Sequence, residues 1–194
     1  MKAVIIGGTF NPLHLGHLLL AEEVRVQEGY DKVLFVPANK PAHKIVDGTT
    51  VAQRLAMLRA ALDHHHFENV ILETCELARD GISYSIDTVR YVLEHYSLTE
   101  PPGLVLGDDL FETFETWKDA AELSTRAQLL VAHRKYDHEL KSTWRHRYLN
   151  NKRLDLSSSE IRERVRGGLA WRSLVPQPVA HYIDLHSLYR ANPL

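Results

Sequence analysis

The residues Ala3-Val4-Ile5-Ile6-Gly7-Gly8-Thr9-Phe10-Asn11-Pro12-Leu13-His14-Leu15-Gly16-His17 pass from an apolar run through a glycine turn to a pair of histidines. An apolar, β-branched run of this length reads as a buried strand, and the Gly-Gly and Asn-Pro punctuation ends it abruptly. A helix is expected to open near Gly16. His17, Leu20, Ala21 and Val24 fall at i, i+3, i+4 and i+7, so the second histidine is expected on the apolar face, pointing inward. A strand, a glycine turn and a helix N-terminus form an anion site, because free backbone N–H groups and the positive end of the helix dipole converge where glycines leave room. His14 and His17 add two imidazoles able to donate hydrogen bonds to phosphoryl oxygens.

The spacing excludes the commoner phosphate loops. No Gly-Lys-Ser/Thr follows, as a Walker loop requires, and Gly7-Gly8 lacks the third glycine of a dinucleotide fingerprint. The run Gly8 to His17 instead resembles the signature of the nucleotidyltransferase superfamily, with its paired histidines separated by x-Gly. Two blander readings compete: a solvated loop with incidental histidines, and a metal site. The second lacks a credible third ligand nearby, and a zinc site needs at least three.

Composition bounds the rest. A chain of 194 residues with 44% hydrophobic content suits one soluble domain, residues 1–194, with a substantial core. Twenty-three basic against 25 acidic residues leave no general field for nucleic acid, so phosphate binding must be local. The single cysteine, Cys75, forms no internal disulfide, and no charged-then-apolar signal segment precedes the first strand, so a cytoplasmic location is expected. No apolar run approaches the roughly 20 residues that span a bilayer, so no membrane partner is expected.

Strand-like and helix-like segments alternate: strands at Lys32 to Val36, Val70 to Leu72, Gly103 to Leu106 and Leu129 to Ala132, and helices at Val51 to Leu62 and Ser85 to Tyr96, the latter capped by Ser85. Repeated βα units predict an α/β fold, a Rossmann-like parallel sheet with helices on both faces and right-handed crossovers. Ligands in such sheets sit at the carboxyl ends of strands. Polar or glycine-rich residues stand there: Gly8 to His17, Pro37 to Lys44, Gly107-Asp108-Asp109 and His133-Arg134. Lys135 to Asn151 takes no clear assignment. His64-His65-His66 is expected to end a helix, where positive charge suits the dipole, in preference to holding a metal. Cys75 reads as a small buried hydrophobe.

A second chemical signature is Leu156-Ser157-Ser158-Ser159-Glu160-Ile161-Arg162. Serines leading into an amphipathic segment read as an N-cap, and hydroxyls at a helix N-terminus again cradle anions, with Arg162 adding a forked cation one turn in. Alone, a capped surface helix with nothing bound is the simpler reading. Beside the N-terminal motif, two cradles suggest one for the α-phosphate region and one for departing pyrophosphate.

Gly8 to His17, Asn39 with Pro41 to Lys44, Ser83 to Thr88, Gly107 to Asp109 with Trp117, Ser157 to Arg162, and Leu174 to Pro176 through Tyr182-Ile183 to Leu188-Tyr189-Arg190 together resemble the bacterial nicotinate-nucleotide adenylyltransferase family over essentially the whole chain. The resemblance implies transfer of AMP from ATP to nicotinate mononucleotide, giving nicotinate adenine dinucleotide and pyrophosphate, with Mg²⁺ accompanying ATP. Ser85 and Ser159 stand where the family usually has Thr, and both keep a hydroxyl. The resemblance implies His14 and His17 as catalytic residues, Gly8, Thr9, Phe10, Gly16, Asp109, Ser158, Ser159, Ile161 and Arg162 on ATP, and Asn39, His43, Lys44, Ser83, Tyr84, Ser85, Trp117 and Arg134 on the mononucleotide. Asp109 would meet a ribose and Trp117 the pyridine ring, although packing alone also explains a tryptophan there. The attacking phosphate is already ionised, so positioning and charge stabilisation are the tasks left to the protein. The implied partners are small molecules, and homo-oligomerisation stays open.

Three other functions remain in play. An aminoacyl-tRNA synthetase would share the histidine signature but needs a lysine-rich second motif, an anticodon-binding domain and a basic surface. A non-catalytic nucleotide sensor would have little reason to keep both histidines. Transfer to nicotinamide mononucleotide or phosphopantetheine is a runner-up within the same chemistry.

Overall fold

The structure is a computed structural model that describes residues 1–42, 48–65 and 69–191. In chain order the elements are β1 (Ala3–Gly8), α1 (Leu15–Glu28), β2 (Lys32–Pro37), β3 (Lys40–Pro41), α2 (Val51–His65), β4 (Val70–Leu72), β5 (Ile82–Ser83), α3 (Ser85–His95) and β6 (Gly103–Gly107). They continue with α4 (Asp108–Phe111), α5 (Ala120–Arg126), β7 (Gln128–Ala132), β8 (His146–Tyr148), α6 (Ser158–Arg166) and α7 (Gln177–Leu185). Six strands form one sheet in the order β4-β2-β1-β6-β7-β8, and all its pairings are parallel. β3 and β5 form a separate two-stranded parallel ladder, Lys40 opposite Ile82 and Pro41 opposite Ser83.

The expected parallel sheet is present, and its helices divide between the two faces because β-strand side chains alternate. Val4 and Ile6 of β1 join Val33, Phe35, Val105 and Leu130 in a core closed by α1, α2, α6 and α7 through Leu18, Met57, Ile161 and Val179. Ala3 and Ile5 face the other way with Leu34, Leu104 and Leu129, under Val89 of α3 and Leu123 of α5. β1 is therefore apolar on both faces, which is why its sequence is a continuous hydrophobic run.

Three expectations need correction. The unassigned stretch contains β8, which pairs parallel with β7 at the sheet edge, Leu129 opposite His146. A three-residue edge strand, His146-Arg147-Tyr148, carries no apolar run, so hydrophobic patterning misses it. α3 is preceded by Tyr84 as N-cap, with no side-chain cap bond, and Ser85 is its first helical residue. On α1 the fully buried face is Leu18, Ala21 and Val24, while His17 is only half-buried.

The chain runs outward from β1 to β2 and β4, then returns to place β6 against the other edge of β1. That reversal makes a crevice at the carboxyl ends of β1 and β6, where open α/β sheets bind ligands.

Candidate active site

At this crevice the structure has a cleft lined by Ile6 and Gly7 of β1, His14, Gly16 and His17 at the start of α1, Gly107 at the end of β6, and Arg134 after β7. His14 is the N-cap of α1, with extended backbone angles, and is almost wholly buried. The backbone N–H of His14 donates to Nδ1 of His17 at 3.2 Å. An acceptor Nδ1 leaves the proton of a neutral imidazole on Nε2, and the His17 side chain forms part of the cleft wall. The two imidazoles lie against each other with centroids 3.7 Å apart, and Phe10 meets the His17 ring edge-on at 5.2 Å. A Cβ on Gly16 would stand 3.1 Å from the His14 ring, so the glycine between the histidines lets that ring fold back over the helix start.

The loop before His14 is held from the other end of the chain. Arg162 of α6 donates to the carbonyl of Asn11 at 2.9 Å, and the Ser158 hydroxyl donates to the carbonyl of Pro12 at 2.9 Å. Thr49 and Tyr189 hydroxyls both donate to Asn11 Oδ1 at 2.7 Å. The serine cluster therefore divides its labour differently from the expected cradle. Ser157 is the N-cap, accepting from the Glu160 N–H at 3.1 Å, and Ser158 is a buried staple whose proton is already donated. Ser159 accepts from Arg162 at 3.3 Å. Phe10 and Ile161 lie in the core, so a nucleotide meets them only through their backbone. Phe10 takes a left-handed backbone, φ 47°, which its burial and its ring contacts hold in place.

After β6, two adjacent aspartates do unlike things. Asp108 is fully buried, and its carboxylate accepts the backbone N–H groups of Arg134, Lys135 and Tyr136 at 3.2, 2.8 and 3.0 Å. Burial pushes its pKa up, but N–H donors from Lys135, Tyr136, Arg134 and Asp109 outweigh that, and the net direction is down. Asp108 thus shapes the loop after β7. Asp109 is half-buried; its Oδ2 pairs with Arg134 at 3.4 Å, and its Oδ1 is buried without a hydrogen-bond partner. An orphaned carboxylate oxygen beside the cleft suits a sugar hydroxyl. A Cβ on Gly107 would stand 2.3 Å from that oxygen, so only glycine fits there. Arg134, expected on the mononucleotide, lines the histidine cleft.

A second, smaller cleft is lined by Ala42, Ser83, Tyr84, Ser85, Trp117 and Lys118, at the N-terminus of α3. Trp117 packs on Phe114 at 5.5 Å and still forms part of the wall. Lys118 sits over the Tyr84 ring at 4.6 Å and pairs with Asp87 at 3.2 Å, fastening this wall to the first turn of α3. Arg90 pairs with Asp87, at 3.1 Å, and with Asp119, at 3.2 Å, so the acid in the helix's first turn is answered by two cations.

Asn39, expected on the mononucleotide side, is tied to the segments around it. Its amide donates to the Arg79 carbonyl at 3.0 Å, its N–H donates to Ser83 Oγ at 3.0 Å, and its carbonyl accepts from Arg54 at 3.2 Å. His43 and Lys44 lie outside the described residues, as does His66 of the histidine triplet. Arg54 and Glu76 were not singled out from the sequence, and Asp108 and Tyr189 only as members of longer motifs with no role of their own. Their importance comes from long-range partners, and no local spacing announces it.

Comparison with known proteins agrees with this geometry. The cytidylyltransferase-like family matches residues 5–164. A probable nicotinate-nucleotide adenylyltransferase of Borreliella burgdorferi is 40% identical over 97% of this chain and 97% of its own. A counterpart from Dictyoglomus thermophilum is 37% identical over 97% of this chain and all of its own length. Among solved structures, Plasmodium falciparum nicotinic acid mononucleotide adenylyltransferase complexed with NaAD superposes with a TM-score of 0.80 at 16% identity, over 97% of this chain and 98% of that one, a likeness of fold. With paired histidines at the sheet's switch point and relatives at this level over nearly the full length, the chain belongs to the nicotinate-nucleotide adenylyltransferase family within the cytidylyltransferase-like proteins.

Proposed function

We propose that the chain carries out its family's reaction, transfer of AMP from ATP to the phosphate of nicotinate mononucleotide, with ATP in the histidine cleft and the mononucleotide's base in the smaller cleft. The observation that carries this reading is His17, which lines the crevice between β1 and β6 and whose Nδ1 accepts from the His14 N–H. The nucleophile is an ionised phosphate, so no general base is needed. His14, His17 and the N-terminus of α1 stabilise charge that grows on the α-phosphoryl oxygens as the bond to pyrophosphate breaks.

Gly8, Thr9 and Gly16 supply the close backbone approach for phosphates, Arg162 and Ser159 flank the departing pyrophosphate, and Asp109 Oδ1 takes a ribose hydroxyl. Ser85 and the free N–H groups of α3 receive the nicotinate carboxylate, while Trp117 covers the ring. Among the described residues no group of three or more His, Cys, Asp or Glu side chains converges on one point. A divalent cation, Mg²⁺ in this reading, would therefore be held chiefly by the triphosphate oxygens, where it neutralises phosphate charge. No helix of the described residues is long and apolar enough to cross a membrane. We place the reaction in the cytoplasm with small-molecule partners only.

The test is pyrophosphate release from Mg-ATP with nicotinate mononucleotide, nicotinamide mononucleotide and phosphopantetheine as acceptors. The reading expects the acid mononucleotide to be the best acceptor. A faster reaction with phosphopantetheine, or no release with any acceptor, overturns it.

A further inference from the structure

The two clefts are joined by a line of hydrogen bonds inside the protein. Arg54, on α2, is 1% exposed, and its guanidinium donates to two backbone carbonyls, Thr9 at 2.8 Å and Asn39 at 3.2 Å. Asn39 then donates its N–H to Ser83 Oγ at 3.0 Å. Glu76, buried in the loop after β4, stands near Ser83. Glu76 accepts from the Thr88 hydroxyl of α3 at 2.5 Å, and Thr88 accepts from Arg79 at 2.9 Å. Thr9 belongs to the loop of the histidine cleft, and Ser83 lines the smaller one. The line therefore runs from one cleft to the other.

Burying a guanidinium on carbonyls alone is costly, because desolvation is repaid only by hydrogen bonds. Burial indeed drives the Arg54 pKa down. A residue maintained at that cost, bridging two loops that diverge from different strands, suits a strut whose length sets a distance. Transfer between two bound substrates is sensitive to such a distance: about 1 Å of misplacement costs roughly a hundredfold in rate. Ser83 Oγ accepts the Asn39 N–H from within the wall of the smaller cleft, so the far end of the strut is part of that cleft.

We propose that Arg54 and Ser83 are positioning residues for adenylyl transfer, a relay through Asn39 that fixes the separation of the nucleotide and mononucleotide clefts. The proposal rests on the assignment of the two clefts given above. Kinetics of Ser83→Ala, Ser83→Thr, Arg54→Lys and the Ser83→Ala/Arg54→Lys pair test it, each with melting temperatures alongside.

Ser83→Ala should raise KM for the mononucleotide about tenfold, the size of one well-placed hydrogen bond, with KM for ATP within about twofold. Ser83→Thr, which keeps the hydroxyl, should restore it. Arg54→Lys should lower kcat and raise both Michaelis constants, since it parts Thr9 from Asn39. The double variant should have a mononucleotide KM little worse than that of Arg54→Lys, because both changes sever one line. Strictly additive effects of Ser83→Ala and Arg54→Lys, or an Arg54→Lys variant altered only in melting temperature, overturn the relay. The underlying assignment is tested separately by wild-type turnover, and the variants are compared on whichever acceptor the wild type uses best. In any acceptor background, faster amide exchange at Asn39 in Ser83→Ala is expected, and unchanged exchange there also overturns the relay.

Discussion

At the scale of single residues, His17 and Asp108 show how one side chain serves chemistry and another serves shape. In the reaction proposed above His17 would stabilise charge that exists mainly in the transition state, so His17→Ala should lower kcat about a hundredfold to a thousandfold and leave both Michaelis constants nearly unchanged. Steady-state kinetics on the folded variant check this. Asp108 binds the loop after β7 through three backbone donors. Its folded pKa is lowered, so the unfolded chain binds the proton more tightly, and stability from this group is complete above the unfolded value of about 4. It is lost as pH falls through the folded value. Chemical denaturation of the wild type should therefore weaken below about pH 4, while Asp108→Ala should lose about 2–4 kcal/mol at pH 7 and show a shallower acid limb.

At the scale of elements, the catalytic loop is a joint between the first and last parts of the chain. α6 reaches it through Ser158 and Arg162, and the segment after α7 reaches it through Tyr189. Burial pushes the Tyr189 phenol well above its ordinary pKa, so it remains a donor to Asn11. Tyr189→Phe should cost about 1 kcal/mol of stability, one hydrogen bond, and reduce kcat more than either KM, because His14 lies three residues beyond Asn11. Thermal melts and kinetics together check it. The N-terminus of α3 carries a different expectation. Its free N–H groups reward two acceptor oxygens, whereas an amide would turn N–H against N–H, so kcat/KM should favour nicotinate over nicotinamide mononucleotide. Trp117→Ala should raise KM for both, since ring stacking is blind to that difference.

At the scale of the whole molecule, six parallel strands and two apolar cores make up the fold, and among the described residues no three His, Cys, Asp or Glu side chains are grouped to hold a metal ion. EDTA alone should leave the melting temperature unchanged but abolish turnover, while Mg-ATP at 100 times its Kd should stabilise the protein by about 2.7 kcal/mol. Differential scanning fluorimetry with and without nucleotide checks both halves. The parallel sheet was legible because its central strands, such as Ala3–Ile6 and Leu129–Ala132, are apolar on both faces and alternate with helix-length amphipathic segments. Strand β8 was not, because an edge strand of three residues with His, Arg and Tyr has no hydrophobic signature.

The sequence by itself determined what short-range periodicity and motif spacing encode. These are the βα alternation, the glycine turn before α1, the histidine pair at its start, and the family. Tertiary structure alone decided which polar groups are available for chemistry. Asn39 and Ser158 look like ligands in the sequence, yet they bond Arg79, Ser83, Arg54 and Pro12. Asp108 and Asp109 are neighbours in sequence, yet one is buried under three N–H groups and the other keeps an unpartnered oxygen beside the cleft. The physical reason is that a buried polar atom must find a partner, and the partners here come from residues tens of positions away, which only the folded chain brings within 3 Å or so.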